Sequence, residues 1–403
     1  MTQKRLMVIG AGWEQAPLIK RAHELGYWIL ATHGKEEAEG FQYADKTAIL
    51  EPRDTNRALA LFNEHRIEAV ISDNDDYALY TVGLMCQKLG LPGPNFEAIT
   101  NSNNKRKSRI ACEKMGIKQP PFYACATYED LVVGVEKVGR YPVIVKPVDN
   151  RGNFGVNRVE SEGELKHAFF DAVINSNSRE FVVEKFIEGT PLTVEGFSWN
   201  EKTHIPLAVS SKKMLGGSKR VALELIYPAE ISEKNLQRAQ EITNDVVRAL
   251  KYDFGYTHTE FIIDTNEDIW LVESTQRGGG VYISTVIVPA ITELDMLKYY
   301  IELVFGEGHI PTVERFHVTK HSAILSFFKF DSGGTVRSIS GLDDVRQLPG
   351  VLKCDMLVKV GDMIAPVTTD AHRHGYVVAQ ASNREVARDL VEKVKKIIVV
   401  EFA

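Results

Sequence analysis

The first apolar run, Leu6 to Ile9, stops at Gly10-Ala11-Gly12 and is followed by APLIKRAHELG, whose apolar positions recur at helical spacing. Such a run predicts a buried parallel strand feeding a helix. The alternation continues with a strand at WILAT, a helix at TNRALALFNEHR and a strand at AVIS, which predicts a doubly wound α/β unit. Its first turn is not a dinucleotide fingerprint. Gln15 stands where the third glycine belongs, and the second strand runs into Thr32-His33-Gly34 where an acid is expected. A plain tight turn or the edge of a small-substrate site is the better reading.

LPGPNFEAITNSNNKRKSRIACEKMGIKQPPF then changes the texture, with proline and glycine on either side of a cationic helix, so a boundary is expected near residues 95–105. From 140 to 275 the pattern turns antiparallel in character: YPVIVKPV, FVVEKFI, LTVEGFSW, IPLAVSSKKM, TEFIID and IWLVES are strands, interrupted by a long helix, SEKNLQRAQEITNDVVRALKY. After about 310, HSAILSFFKF, glycine-rich turns and a helix at REVARDLVEKVKKI predict a small α+β module. The expected fold class is α/β and α+β, with an N-terminal domain over 1–100, a central two-lobed domain over 101–310 whose smaller lobe covers about 120–190, and a C-terminal domain over 311–403.

The 403 residues and 44% hydrophobic content suit buried cores, and 48 basic against 54 acidic residues give a net charge of −6 with no basic face for a nucleic acid. Cys86, Cys112, Cys125 and Cys354 are scattered without metal-ligand spacing, which predicts reduced thiols. MTQKRLMVIGAGW turns polar too soon for a signal peptide, and no apolar span is long enough to cross a bilayer. A cytoplasmic location and no membrane partner are expected.

VIVKPVDNRGNFGV is the first stretch with chemistry in it. Lys146 ends an apolar strand ahead of a loop with Gly152 and Gly155, so a fixed positive charge could meet phosphate oxygens while glycines let backbone N–H groups approach. A strand-end lysine snorkelling to water explains the same pattern. EKFIEGTPLTVEGF supplies Glu184, Lys185, Phe186, Ile187 and Glu195, a segment able to bind an adenine edge or simply a solvated strand face. In THTEFIIDTNEDIWLVESTQRGGG, Glu260 and Glu273 lie on two strands joined by a short turn, and a hairpin can bring them together. Two carboxylates near a polyphosphate repel it unless a divalent cation, magnesium above all, sits between them. Arg277, followed by three glycines, offers a planar fork beside them; a flexible turn with solvent-facing acids is the plain alternative.

In order, the chain carries Lys105 at a helix start, Lys146 with its glycine loop, Glu184, then Glu260, Glu273 and Arg277. This order resembles the ATP-grasp superfamily, and within it the carboxylate–amine ligases of the L-amino acid (dipeptide) ligase type, with PurK-like and biotin-carboxylase-like relatives. The resemblance implies an ATP-grasp fold in which two lobes clamp ATP. It implies that Lys105 and Lys146 contact phosphates, Asn150 to Gly155 cover them, Glu184, Lys185 and Ile187 hold adenine, and Glu195 lies near the ribose. Glu260 and Glu273 would bind magnesium, or manganese in its place, and Arg277 would hold an acceptor carboxylate or steady an acyl phosphate. Two departures stand out: Thr275 occupies the position where the family has asparagine after the second metal glutamate, so its hydroxyl becomes the candidate last ligand, and Pro191 replaces an acid. The implied activity joins a small carboxylic acid, an amino acid first, to an amine through an acyl phosphate, releasing ADP and phosphate. Carboxylation through carboxyphosphate and a nucleotide-binding protein without turnover remain the alternatives. Small-molecule substrates and a homodimer are the expected partners.

His258, two positions before Glu260, reads as a structural histidine. KKMLGGSKR, 212–220, reads equally as a mobile lid or an exposed loop, and His372, Arg373 and His374 as a surface turn.

Overall fold

The computed structural model of the chain describes residues 3–150, 152–216, 221–311, 319–330 and 333–403; Arg151 and residues 217–220 of the KKMLGGSKR stretch lie outside the described residues. Four parallel strands come first, β1 (Arg5–Ile9), β2 (Trp28–His33), β3 (Lys46–Ile49) and β4 (Ala69–Ile71), in spatial order β3-β2-β1-β4. Parallel pairing needs crossovers, and helices α1 (Ala16–Glu24) and α2 (Thr55–Glu64) provide two of them. Leu6 and Val8 enter one core while Met7 and Ile9 enter another, so both sheet faces are covered. β3 carries no apolar run because it is an exposed edge strand, which is why periodicity does not announce it.

Helices α3 (Asp76–Leu89), α4 (Phe96–Ser102) and α5 (Lys105–Lys114) lead to a second, antiparallel sheet of β5 (Phe122–Cys125), β6 (Val143–Pro147), β7 (Asn157–Val159) and β8 (Phe181–Lys185), in order β5-β8-β6-β7. Helices α6 (Tyr128–Val138) and α7 (Leu165–Ile174) share one core with Val143, Val145, Phe181 and Val183. Side chains alternate along a strand, so Lys146 and Glu184 point to the opposite face.

The largest sheet has eight strands: β9 (Thr190–Asn200), β10 (Thr203–Met214), β11 (Ala222–Tyr227), β12 (Gly255–Ile263), β13 (Ile269–Thr275) and β14 (Ser322–Phe328), joined after the short β15 (Val336–Ser340) by β16 (Val351–Met356) and β17 (Gly375–Ala381). Its order is β13-β12-β9-β10-β11-β14-β17-β16, while β15 pairs with β18 (Val399–Phe402). The C-terminal region therefore extends this sheet: β14 pairs with β11, which would otherwise present an open edge. Helix α8 (Glu233–Leu250) covers one face, sharing a core with Leu192, Val194, Phe261 and Leu271.

A register shift between β12 and β13 decides what the other face carries. Phe261 pairs with Leu271, but Glu260 pairs with Glu273, so Val272 is an extra residue on β13. In a regular strand Glu273 would follow Leu271 into the α8 core. The bulge turns it to the opposite face, beside Glu260.

Candidate functional site

Helix α5 starts where Asn104 accepts a hydrogen bond from the Lys107 N–H, and this cap sets Lys105 at the first turn. The Lys105 ammonium donates to the Asn150 carbonyl at 2.7 Å and lies 3.1 Å from the Glu273 carboxylate. One turn further along, Arg109 is 2% exposed and grips Glu184 with a bidentate fork at 2.8 and 3.0 Å. Lys146 reaches the same carboxylate at 2.9 Å and is 4% exposed, so it does not snorkel to bulk water. Burial pulls the Lys146 pKa down. Burial opposes ionisation of Glu184 too, but Arg109 and Lys146 outweigh it and lower its pKa to about 2.

Beyond Lys146 the chain turns through Gly152, Asn153 and Gly155 with φ of 65°, 62° and 73°. A Cβ on Gly155 would lie 2.8 Å from Asn175 Cβ and 3.1 Å from the Asp171 carbonyl, so the position demands glycine. Asn150 donates to the Asn175 carbonyl at 2.6 Å, and Asn153 at the tip donates to Asp370 at 3.0 Å.

The adenine segment follows β8. The Lys185 and Phe186 N–H groups bond the carbonyls of Pro121 and Pro142, whereas the Ile187 N–H has no protein acceptor among the described residues. Glu184, expected at adenine, has both oxygens engaged by Arg109 and Lys146.

Across from these lysines, Glu260 and Glu273 are opposed in register, as are His258 and Thr275. Lys212, on the same face from β10, lies 2.6 Å from Glu260. His258 sits between Glu195 at 2.8 Å and Glu260 at 3.3 Å. Burial disfavours its charge, but the two carboxylates outweigh that and raise its pKa to about 9. It links Glu195 to Glu260, a contact that holds the Glu260 carboxylate in place. Glu195 is 2% exposed and lies beneath His258, with the Tyr227 hydroxyl donating to it at 3.5 Å. Burial opposes ionisation of Glu260, and Lys212 with His258 still holds its pKa well below the carboxylate range.

Arg277 does not sit on a flexible turn. Its Nε donates to Asp76 at 2.7 Å, the Gly278 N–H donates to Asp73 at 2.8 Å, and the Val281 N–H donates to Glu14. A Cβ on Gly278 would lie 2.2 Å from Ser284, so the backbone passes there only as glycine. Val281 and Tyr282 have φ of 54° and 64°, a region that a β-branched residue rarely occupies.

The C-terminal segment differs from expectation. Arg373 and His374 are not on a surface turn: Arg373 stacks 3.7 Å over the Phe327 ring, donates to the Ala222 carbonyl and lies 2.6 Å from Asp370, and His374 is 3% exposed. Strand β17 draws the segment in, since its first residues pair with β14 and β16. Sequence reading also passes over Arg109, Asp73 and Asp76, and it puts Lys212 in a lid or exposed loop, whereas pairing with its neighbours places it on β10. The signal for Arg109 was present, because a residue four positions after Lys105 shares its helix face.

The donor set fits a magnesium ion bound through a nucleotide. Two carboxylates converge, each held in the free chain by a lysine ammonium, and the Thr275 hydroxyl beside them is buried without a hydrogen-bond partner. Among the described residues no group of three or more His, Cys, Asp or Glu side chains forms a self-sufficient metal cluster. Magnesium characteristically takes one or two carboxylates and completes its shell with phosphate and water.

No helix among the described residues is long and apolar enough to cross a membrane. The sequence matches the ATP-grasp domain over residues 139–285 and the L-amino acid ligase C-terminal domain 2 over residues 326–403. It is 25% identical over 319 residues to an uncharacterized protein of Sinorhizobium fredii, covering 78% of this chain and 64% of that one, so it spans under two thirds of that relative. It is 25% identical over 332 residues to a formate-dependent phosphoribosylglycinamide formyltransferase of Bacteroides fragilis, covering 80% and 82% of the two chains. The crystal structure of an L-amino acid ligase from Bacillus licheniformis superposes with a TM-score of 0.84 at 21% identity, covering 100% of both chains, which shows the shared fold. Both domain matches fall on the sheets that carry Lys146, Glu184, Glu260 and Glu273, so the chain carries an ATP-grasp domain followed by an L-amino acid ligase C-terminal domain 2.

Proposed function

We propose that the protein is a carboxylate–amine ligase that activates a small carboxylic acid, an amino acid in the first instance, as an acyl phosphate and joins it to an amine. The observation that carries this reading is the gathering of charge around Glu273: Lys105 contacts it at 3.1 Å, Glu260 opposes it in register, and Lys146 and Arg277 both lie close enough to interact with it electrostatically. The match of residues 326–403 to an L-amino acid ligase domain supports an amino acid as the acid.

A carboxylate is a poor acyl donor because its leaving group would be oxide. ATP removes that obstacle: a carboxylate oxygen attacks the γ-phosphorus, ADP leaves, and the amine then displaces phosphate from the acyl carbon through a tetrahedral intermediate. Lys146 and Lys105 neutralise phosphate oxygens, and the Gly152–Gly155 hairpin excludes water from the activated acid. Arg277, oriented by Asp76, holds an acceptor carboxylate or steadies the acyl phosphate. Glu260 and Glu273, with Thr275, hold magnesium, which offsets charge on the nucleotide's phosphates. Lys185 and Ile187 bound the adenine end, with the Ile187 N–H as donor, while Glu184, its oxygens taken by Arg109 and Lys146, stands behind them, and Glu195 lies toward the ribose. The division at 1–100, 101–310 and 311–403, a homodimeric assembly and a cytoplasmic location complete the proposal.

The test is ADP and phosphate release across amino acids and other small carboxylates, each paired with amines, followed by mass analysis of the product. Bicarbonate and formate belong in the acid panel, the latter because a relative is a formate-dependent formyltransferase. Release that requires bicarbonate and no amine would favour the carboxyphosphate alternative, and no release under any mixture would favour a protein without turnover.

A further inference from the structure

Arg109 is the largest fully buried side chain among the described residues. Its guanidinium is held on three sides. Nε and Nη2 donate to the two oxygens of Glu184, Nη1 donates to the Leu271 carbonyl at 3.1 Å, and Nη2 to the Val272 carbonyl at 2.7 Å. Those two carbonyls flank the bulge that turns Glu273 into the cleft. Gln119 closes the arrangement by donating to the Arg109 carbonyl at 2.8 Å. The fork thus joins α5, β8 and β13 through one rigid planar group.

Charge accounting shows what this does for Lys146. Glu184 carries one negative charge and contacts two cations. Arg109 alone satisfies the carboxylate in bidentate geometry, so the trio keeps one net positive charge in a buried place, at the Lys146 ammonium, where an entering phosphate would meet it. Without Arg109, Lys146 would be the only counter-ion of a buried carboxylate, and the two would form a closed pair. We infer that Arg109 is a positioning residue that neutralises Glu184 and so keeps Lys146 available to the nucleotide. The inference rests on the reading of Lys146 as a phosphate contact.

The test compares the wild type with Arg109→Met and with Arg109→Met/Glu184→Gln, reading the Kd of ADP by calorimetry with magnesium and in excess chelator. Arg109→Met is expected to weaken ADP binding by about tenfold or more under both conditions. The double variant removes the carboxylate that captures Lys146 and is expected to recover most of that loss. A merely structural role predicts the opposite order, because the second substitution would add damage to an already loosened core. Equal affinity of Arg109→Met and wild type, or a double variant no better than the single one, overturns the inference. If Arg109→Met does not fold, Arg109→Gln, which loses the charge and keeps a hydrogen-bond donor toward Glu184, takes its place, and an unchanged Kd for it is equally decisive. Wild-type ADP binding without turnover on any acid and amine would defeat the ligase reading and leave this inference standing. Absence of wild-type ADP binding would overturn both.

Discussion

Glu260 and Glu273 face each other across β12 and β13, and each is met by a lysine from a different element, Lys212 from β10 and Lys105 from α5. Carboxylates that close would repel if left unscreened; here two ammonium groups hold the positions that magnesium and phosphate would compete for. Glu273→Gln keeps the shape of the side chain beside Lys105 and removes the charge. It is expected to lower ATP-dependent phosphate release by about two orders of magnitude or more while leaving the unfolding transition nearly unchanged. Full activity with an unaltered magnesium requirement would remove Glu273 from the metal site.

Chelating the divalent ion should stop turnover of the wild type, with recovery on adding magnesium or manganese. Activity that survives excess chelator would show that Glu260, Glu273 and Thr275 serve another purpose.

The hydrogen bond from Asn153 to Asp370 ties the tip of the glycine hairpin to the C-terminal region. A hairpin that loses this tether closes less completely and admits water to the activated acid. Asn153→Ala is therefore expected to raise the ratio of ADP formed to amide formed by a few fold, on the order of the 1 kcal/mol carried by one hydrogen bond. A ratio equal to that of the wild type would mean that the contact has no part in closure.

Gly155 combines a φ of 73° with a backbone approach that leaves no room for Cβ. Gly155→Ala should cost roughly 1–3 kcal/mol in denaturant unfolding and weaken ATP binding together with it. Gly116, at φ 69° with open space around it, is the control: its alanine variant carries the backbone penalty without the clash.

His204, on the α8 face of the sheet, donates from Nδ1 to Asn244 at 2.7 Å and accepts from the Thr257 hydroxyl at 2.9 Å, an arrangement that suits the neutral ring. Burial lowers its pKa to about 4, and the Asn244 contact only partly offsets this. The unfolded chain then takes up a proton below about pH 6.5 that the folded chain refuses, so stability falls as pH drops from about 6.5 to 4, by roughly 3 kcal/mol at most. Glu184 acts in the same direction over a lower window: its stabilisation is present above an unfolded pKa near 4.5 and is lost as pH falls toward about 2. Glu201, Glu241 and Asp245 line the adjoining surface cavity with Lys202 and Arg248. His204→Gln should flatten the stability profile between pH 6.5 and 4 in denaturant titrations. An unchanged slope would show that His204 is protonated in the fold.

Local pattern determined much of this protein. The runs at residues 6–9 and 28–32 are legible because burial on both faces makes a strand continuously apolar, and the strand at 143–147, the helix at Arg384–Ile397 and the long helix before Tyr252 because burial of one face imposes a period of two or 3.6 on the residues themselves. The charged residues of the cleft are legible for a related reason: a lysine ending an apolar strand and an arginine preceding three glycines have little purpose in packing. Where those side chains point was decided by pairing between distant segments. One extra residue at Val272 reverses the face on which Glu273 emerges, and nothing in IWLVEST marks it. Arg109 looks like one more cation on a basic helix until β8 and β13 close over it, and Arg373 looks exposed until β14 and β16 draw β17 into the sheet. Periodicity is a property of neighbours along the chain, whereas register, bulges and the partners of buried charges depend on segments that meet only in the folded state.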